Sequence, residues 1–370
     1  MGFQVWDSLQ AVASYIREML TQQAILKGVG VGQQDASALS AVTAFFLRDL
    51  SGMVGGVAFA TIQGGSFDSE AKQWRFLADV ANNVALALDL VAISLPRTFF
   101  LASLCLSSVA RSIVGVAAGA ARAALTVHFS KANKPADISA KEGSQEVGTR
   151  VLGMSLGLAT LRGVGDGVFL QWTLFLALSA FHIYSNIRAM RNVHLHSLNR
   201  ARLELVLDYY LDGQQMAMTK GKKVVVDSRR VLTPQEAAAR EPLLPPALGG
   251  RGAAAEAVAL GVRLSDVGEA EVKQLPELGR RYAAEKKKYL LTRAGALLHE
   301  SATEEDVAEA LTHALVLRRH LAGGTVTQAK AEALALEWMR GTFPTFRLLL
   351  RRAGWDRAPA LRPGPHRVRW

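Results

Sequence analysis

The chain of 370 residues contains a single cysteine, Cys105, so no disulfide bond can form within it. This disfavours a small secreted scaffold and fits a reducing compartment or a membrane interior. No signal peptide is recognisable, because Asp7, Arg17 and Glu18 interrupt the first twenty residues. A nucleotide-binding glycine loop is also absent. The glycines at 28, 30 and 32 are followed by Gln33, where that fingerprint needs glycine, and instead indicate a helix end.

The sequence contains no recognisable catalytic or metal-binding motif. His194 and His196 are the one close histidine pair, and they lie among arginines, which disfavour a bound metal ion. His182 lies inside an apolar segment and fits either a polar membrane site or a hydrogen-bonded packing role. No Ser-His-Asp or Cys-His arrangement can be argued from spacing. We therefore predict that the protein is not an enzyme and uses no cofactor or metal.

Charge is distributed unevenly along the chain. Residues 1–127 contain eight basic and eight acidic side chains, so the whole net charge of +11 lies after them. From Arg340 onward there are eight arginines and one acid, Asp356. This basic region has no interleaved aromatics or known nucleic-acid motif, so we expect it to attract anionic lipid headgroups and not nucleic acid.

Six helices are predicted before about residue 200. The small residues Gly115 and Gly119, four apart within an Ala-rich stretch, predict a close contact between helices. The predicted helices run over about Gln4 to Lys27, Asp35 to Ile62, 69 to Leu95, Thr98 to His128, Ser144 to Leu161, and 167 to beyond Tyr184.

The sixth helix carries the strongest indication of a membrane. From Gly167 to Ile187, 21 consecutive residues include no charged side chain, and about 20 suffice to cross the hydrocarbon. Arginines follow at once, beginning with Arg188, which places this end on the cytoplasmic, stromal or matrix side. A soluble helical core remains the alternative, because the third and fourth helices contain charges.

After about residue 200 the pattern changes to that of a smaller, basic α+β domain. Strands are predicted at Lys222 to Val226 and Tyr289 to Leu298, and Ser301 with Glu304 has the spacing of a capping box. Helices are predicted at Thr325–Arg340 and Phe343–Arg352. The predicted domains are therefore a helical membrane bundle at 1–200, an α+β domain at 201–355 with a Pro-, Gly- and Ala-rich insertion at 241–257, and an Arg-rich tail at 356–370.

Two polar series have helical spacing and are candidates for a polar lining inside the bundle. They are equally compatible with two solvated helix starts. Arg48 and Asp49, a polar interruption within an apolar helix, are further candidates. The first series comprises Asp68, Lys72, Arg75, Asp79 and Asn82, and the second Asp137, Lys141 and Gln145.

At these residues the chain resembles the root UV-B sensitive (RUS) family. The string Ala136-Asp137-x-x-Ala140-Lys141-x-x-Ser144-Gln145 is the most specific match. Further matching stretches are residues 5–10, 26–32, 48–53, 68–79, 186–202 and 354–355. The resemblance also implies a preceding segment that this chain lacks.

The resemblance implies a membrane-associated protein without an established enzymatic activity. It links the family to UV-B-sensitive root growth, auxin transport and vitamin B6 homeostasis, and to plastids or another organelle. Membrane lipid and either other RUS proteins or a second copy of the chain are the implied partners.

Three functions remain open from the sequence. The first is a membrane scaffold or regulator. The second is a transporter or channel-like bundle for a small polar metabolite, favoured by charges within apolar helices, such as Asp89 and Arg111. The third is a soluble enzyme or cofactor-binding helical domain.

Overall fold

A computed structural model describes residues 2–30, 37–63, 67, 69–130, 134–165, 167–219, 230–244, 258–322, 327–356, 361 and 363–370. Asp35, Asp68, the predicted strand at 222–226 and most of the insertion at 241–257 lie outside these residues. The described chain is mainly helical and divides into two compact units, Met1–Val193 with Leu243–Pro245, and His194–Pro242 with Pro246–Trp370.

The first unit is a bundle of long helices, and its described part contains the six that were predicted. Three of them are long and apolar enough to cross a membrane, namely Ala38–Ile62, Arg97–Phe129 and Val168–Arg191. The helices are α1 (Gly2–Val29), α2 (Ala38–Gln63), α3 (Ala71–Ala92), α4 (Arg97–Phe129), α5 (Pro135–Val164) and α6 (Val168–Arg191).

The bundle has a layered core in which α1 is central. Helix α1 packs against α3, α5 and α6, whereas α4 packs against α2 and α3. Ala24 of α1 meets Leu86 and Leu90 of α3 and Phe175 of α6 in one apolar cluster. Leu86 and Leu90 are four residues apart, so they lie on one buried stripe of α3.

Large apolar side chains remain exposed on the outside of the bundle. On α2, Leu39, Val57 and Ile62 are 75%, 68% and 77% exposed. On α6, Phe169 is 86% exposed. A water-soluble monomer rarely leaves a contiguous apolar surface of this kind uncovered, so these faces fit lipid.

The second unit is a small α+β fold around a β-hairpin. Its helices are α7 (Arg200–Thr219), α8 (Pro234–Arg240), α9 (Glu269–Val272), α10 (Leu275–Ala284), α11 (Glu304–Ala322), α12 (Gln328–Gly341) and α13 (Phe343–Arg352), with a 3₁₀ turn at Leu264–Asp266. Strands β1 (Tyr289–Thr292) and β2 (Gly295–Leu298) pair antiparallel, with Tyr289 opposite Leu298. Val368, near the C-terminus, donates its N–H to the Leu298 carbonyl.

Two sequence predictions for this unit were wrong in detail. The single strand predicted at Tyr289 to Leu298 is the hairpin just described, because Gly295, with a φ of +138°, lets the chain reverse direction. The capping interaction of α11 joins Thr303 to Asp306 and not Ser301 to Glu304, since the Thr303 N–H donates to the Asp306 carboxylate at 2.7 Å.

Candidate functional site

A cavity of about 910 Å³ lies inside the first unit, bounded by α1, α3, α4 and α5, with His182 contributed by α6. Small-molecule sites in proteins typically have volumes of about 300–1,000 Å³. Its wall is polar for the interior of an otherwise apolar bundle, because each of the four main helices contributes at least one charged side chain, such as Glu18, Asp79, Arg122 and Glu146.

Asp79 on α3 is the centre of the most buried polar cluster at this cavity. Its carboxylate, 6% exposed as a residue, accepts hydrogen bonds from Gln10 Nε2 at 2.6 Å and from Asn186 Nδ2. Arg75, one turn earlier, approaches it within 3.7 Å. Burial raises the pKa of Asp79, and the nearby Arg75 and the Gln10 hydrogen bond partly oppose this shift.

His182 extends the cluster across the bundle to α6. Its Nε2 lies 3.3 Å from Gln10 Nε2 and 3.9 Å from Asp79 Oδ1, while its Nδ1 lies 3.5 Å from Asn83 Nδ2. The ring is almost fully buried, at 1% exposure. His182 is therefore a hydrogen-bonded residue of the core that also contributes to the cavity wall.

Another part of the cavity wall is formed where α4 meets α5. Arg122 of α4 binds Glu146 of α5 at 2.7 Å and lies 3.7 Å from Glu142. Gln145 of α5 donates from Nε2 to Ser8 Oγ of α1 at 2.5 Å. Side chains of three helices are thus joined by polar contacts around the cavity.

Helix α1 contributes two further charges. Arg17 is fully buried and donates to the Ala13 carbonyl at 3.3 Å and to Ser179 Oγ at 3.2 Å. Burial lowers the pKa of Arg17 to about 10, although it stays charged at neutral pH. Glu18 faces the cavity, and burial raises its pKa.

The structure brings four of the ten predicted lining residues together at the cavity wall: Arg75, Asp79, Asn82 and Gln145. Lys72 is fully buried but lies elsewhere, donating from Nζ to the Val193 carbonyl at 3.0 Å. Asp68 lies outside the described residues.

The other four predicted residues do not line the cavity. Arg48 and Asp49 form an ion pair with each other on α2 at 2.8 Å. Asp137 and Lys141 are exposed near the start of α5. The face of α5 that turns inward is offset by one position and includes Glu142.

The prediction that Gly115 and Gly119 make a close helix contact was wrong. A Cβ at either position would meet nothing within 4 Å, because both glycines face the cavity. Close crossings are made by other glycines, among them Gly153 and Gly157 of α5, where a Cβ at Gly153 would lie 2.7 Å from Tyr15 Cβ of α1.

Several cavity residues escaped the sequence analysis although a signal existed. Asp7, Gln10, Ser14 and Glu18 all line the cavity and are spaced three, four and four residues apart along α1. That spacing places them on one face of the helix. Arg122 also lines the cavity and is a charge within the apolar helix α4.

This arrangement is suited to holding a polar molecule. The Asp79 carboxylate is engaged by Gln10, Asn186 and Arg75, which leaves it poorly placed to act as a nucleophile or general base. Within the described residues, no group of three or more His, Cys, Asp or Glu side chains has the arrangement of a metal site.

The fold and the cavity define a class of protein, a helical bundle with a polar interior and three helices of membrane-spanning length. Residues 1–214 match the family model described as the vitamin B6 photo-protection and homoeostasis domain. Residues 230–370 match the model of the root UVB sensitive protein C-terminal region. The chain belongs to the root UVB sensitive family, as its sequence motifs suggested.

Curated relatives support this assignment over most of the chain. Protein root UVB sensitive 3 of Arabidopsis thaliana is 36% identical over 98% of this chain and 80% of its own length. RUS family member 1 of Dictyostelium discoideum is 40% identical over 58% of this chain and 41% of its own length. Protein root UVB sensitive 2, chloroplastic, of Arabidopsis is 29% identical over 55% of this chain and 46% of its own. No solved structure matches the chain.

Proposed function

We propose that the chain is a non-enzymatic membrane protein that binds a small polar metabolite in its N-terminal bundle and moves it across the bilayer, as part of vitamin B6 homeostasis. The observation that carries this proposal is the cavity of about 910 Å³. Its wall contains charged and amide side chains, whereas α2 and α6 of the same bundle expose large apolar side chains. Polar groups inside a membrane bundle commonly mark the path of a substrate or ion.

The membrane part of the proposal is supported by α2, α4 and α6, each of spanning length. Only 11% of the α2 span and 22% of the α6 span are buried within the protein. Lipid would cover these surfaces. We expect the expressed protein to stay in the membrane fraction after a high-salt wash and to need detergent for extraction, and recovery in the soluble fraction would contradict this expectation.

Transport is tested by uptake into proteoliposomes. Asp79→Asn removes the charge at the centre of the polar cluster, so we expect it to reduce uptake of a labelled B6 vitamer strongly. Asp137→Asn is the matched control, because Asp137 is exposed at the start of α5. Absence of uptake by the wild-type protein for every vitamer tested would refute the transport proposal.

A membrane scaffold or regulator is the second candidate, and the charge distribution favours it. The net charge of +11 lies entirely after residue 127, and the bundle has helices with apolar outer faces. A cationic region next to a bilayer attracts anionic headgroups. Membrane lipid and either other family members or a second copy of the chain are the proposed partners. Cross-linking in native membranes tests this proposal, and recovery of monomer alone would contradict the scaffold role.

Location in a plastid is proposed only from a relative whose name contains "chloroplastic". Auxin transport, which the family resemblance implied, likewise stays a prediction. Imaging the tagged protein in a plant cell tests the first, and auxin efflux in a mutant lacking the protein tests the second.

A further inference from the structure

The charges on the cavity wall are not balanced. Five carboxylates line the cavity, whereas Arg75 and Arg122 are its only lining cations within the described residues. The five acidic residues are Asp7, Glu18, Asp79, Glu142 and Glu146. An excess of carboxylates disfavours an anionic ligand and favours a cationic one.

Both arginines of the wall are already occupied. Arg75 lies 3.1 Å from Asp7 and 3.7 Å from Asp79. The Arg75 guanidinium group is therefore paired with one carboxylate on α1 and with another on its own helix, α3. A phosphate group entering the cavity would have to compete with these carboxylates for the guanidinium group.

The same holds for Arg122, which lies 2.7 Å from Glu146 and 3.7 Å from Glu142. Glu146 is also bound by Arg150, at 3.3 Å. Four of the five carboxylates are thus neutralised by ion pairs within the protein.

Glu18 is the exception. Among the described residues it takes part in no ion pair and receives one long hydrogen bond, from Ser14 Oγ at 3.4 Å. Burial raises its pKa, and the more distant arginines, Arg111 and Arg17, offset this only partly. A half-buried carboxylate with no cation within ion-pair distance is costly, and a ligand that supplies a cation in direct contact would relieve this cost.

Gln10 provides a second, independent indication of a ligand. The residue is 2% exposed and lines the cavity, with Nε2 donating to Asp79 at 2.6 Å. Its Oε1 has no hydrogen-bond partner among the described residues. A buried carbonyl oxygen needs a donor. This oxygen has almost no accessible surface, so the N–H or O–H of a bound molecule supplies that donor once the Gln10 side chain turns toward the cavity.

We propose that the cavity binds a small molecule that carries a protonated amine and hydroxyl donors but no phosphate, with its ammonium group on Glu18. The wall also contains the aromatic residues Phe3, Tyr15 and Phe129, which suit contact with an aromatic body. This inference rests on the proposed function and specifies its substrate class.

The B6 vitamers include a matched set of probes for this proposal. Pyridoxamine has an aminomethyl group that is an ammonium at neutral pH. Pyridoxine has a neutral hydroxymethyl group in the same place, and pyridoxamine 5′-phosphate adds a phosphate to the amine. The three compounds therefore separate the contribution of the cation from that of the phosphate.

The experiment is calorimetric titration of the full chain in lipid nanodiscs with each compound. We expect pyridoxamine to bind at least about tenfold more tightly than either of the others. Glu18→Gln should weaken pyridoxamine binding at least about tenfold and weaken pyridoxine binding much less, because the glutamine carbonyl still accepts a hydrogen bond from a hydroxyl group. Glu18→Asp keeps the charge and should restore part of the selectivity, and Asp137→Asn should behave like the wild type.

The thermal midpoint of each variant excludes misfolding as an explanation. Glu18→Gln removes a carboxylate without a cation, so its midpoint should equal or exceed that of the wild type. Equal affinity for pyridoxine and pyridoxamine, preference for the phosphate ester, or full selectivity in Glu18→Gln would overturn the amine proposal alone. Failure of all three compounds to bind the wild type would overturn the proposed function as well.

Discussion

Two glycines in the bundle provide a sharp test of the helix packing, because the same substitution should have opposite effects at the two positions. Gly119 on α4 faces the cavity, and an added Cβ would meet nothing within 4 Å. Gly153 on α5 faces α1, and its Cβ would lie 2.7 Å from Tyr15 Cβ and 3.2 Å from the Val12 carbonyl oxygen. The perturbation is replacement of each glycine by alanine.

The expected magnitudes follow from two terms. Alanine is more favourable than glycine inside a helix by about 1 kcal/mol, so Gly119→Ala should stabilise the bundle by about that amount. Forcing a methyl group into a packed contact costs about 1–3 kcal/mol. For Gly153→Ala the two terms together give a loss of about 0–2 kcal/mol. The two variants should therefore differ by about 1–3 kcal/mol.

The assay is unfolding of both variants and the wild type in one detergent, followed by helix content. Gly115→Ala is an internal control, because Gly115 also faces the cavity without a neighbour within 4 Å. Equal stability of Gly119→Ala and Gly153→Ala would refute the reasoning. It would mean that α5 does not cross α1 at Gly153.

The second unit provides two further predictions. Arg202 and Glu241 form a buried ion pair at 3.0 Å, so Glu241→Gln should lower the free energy of unfolding by about 3–5 kcal/mol in a denaturant titration. Glu285→Gln breaks a surface pair with Arg340 and should change the free energy of unfolding little in the same titration. Burial lowers the pKa of His313 to about 3, below its ordinary value, so stability should fall as pH drops below about 6.5, by about 1.4 kcal/mol per pH unit. The thermal midpoint of His313→Phe should fall less between pH 7 and 5 than that of the wild type, and identical pH profiles would contradict this assignment.

The helices themselves could be predicted well from the sequence, because their signals are local. The predicted range Phe343–Arg352 is the range of α13, and the uncharged run from Gly167 to Ile187 lies almost entirely within α6. Apolar spacing and the Pro344 near the helix start were sufficient there. The family assignment was confirmed as well.

The inward faces were harder to predict, since spacing defines a stripe but not its direction. Asp137, Lys141 and Gln145 share a spacing of four, yet only Gln145 reaches the cavity. Which face turns inward depends on where Gly153 lets α5 approach α1, and this is a contact between residues far apart in sequence. The same limitation explains why Gly119 was predicted to be a packing position.

The polar stripe of α1 could have been found earlier. Gln10 and Ser14 have ordinary polar side chains, and only their alignment with Glu18 on one helix face indicates that they line a cavity. Asp7 and Glu18 interrupt the apolar run that a signal peptide needs, and they also lie on this same face of α1. A search for polar residues at spacings of three and four in apolar helices would have detected it.

The two arginines of the cavity wall form ion pairs between neighbouring helices, Arg75 between α3 and α1 and Arg122 between α4 and α5. The Arg122 side chain is 53% exposed, whereas Arg75 is 24% exposed. Dissolved ions weaken exposed charge pairs far more than sheltered ones. Concentrated salt should therefore weaken the ion pair between α4 and α5 more than the one between α1 and α3, so the cavity wall loosens first on the α4–α5 side.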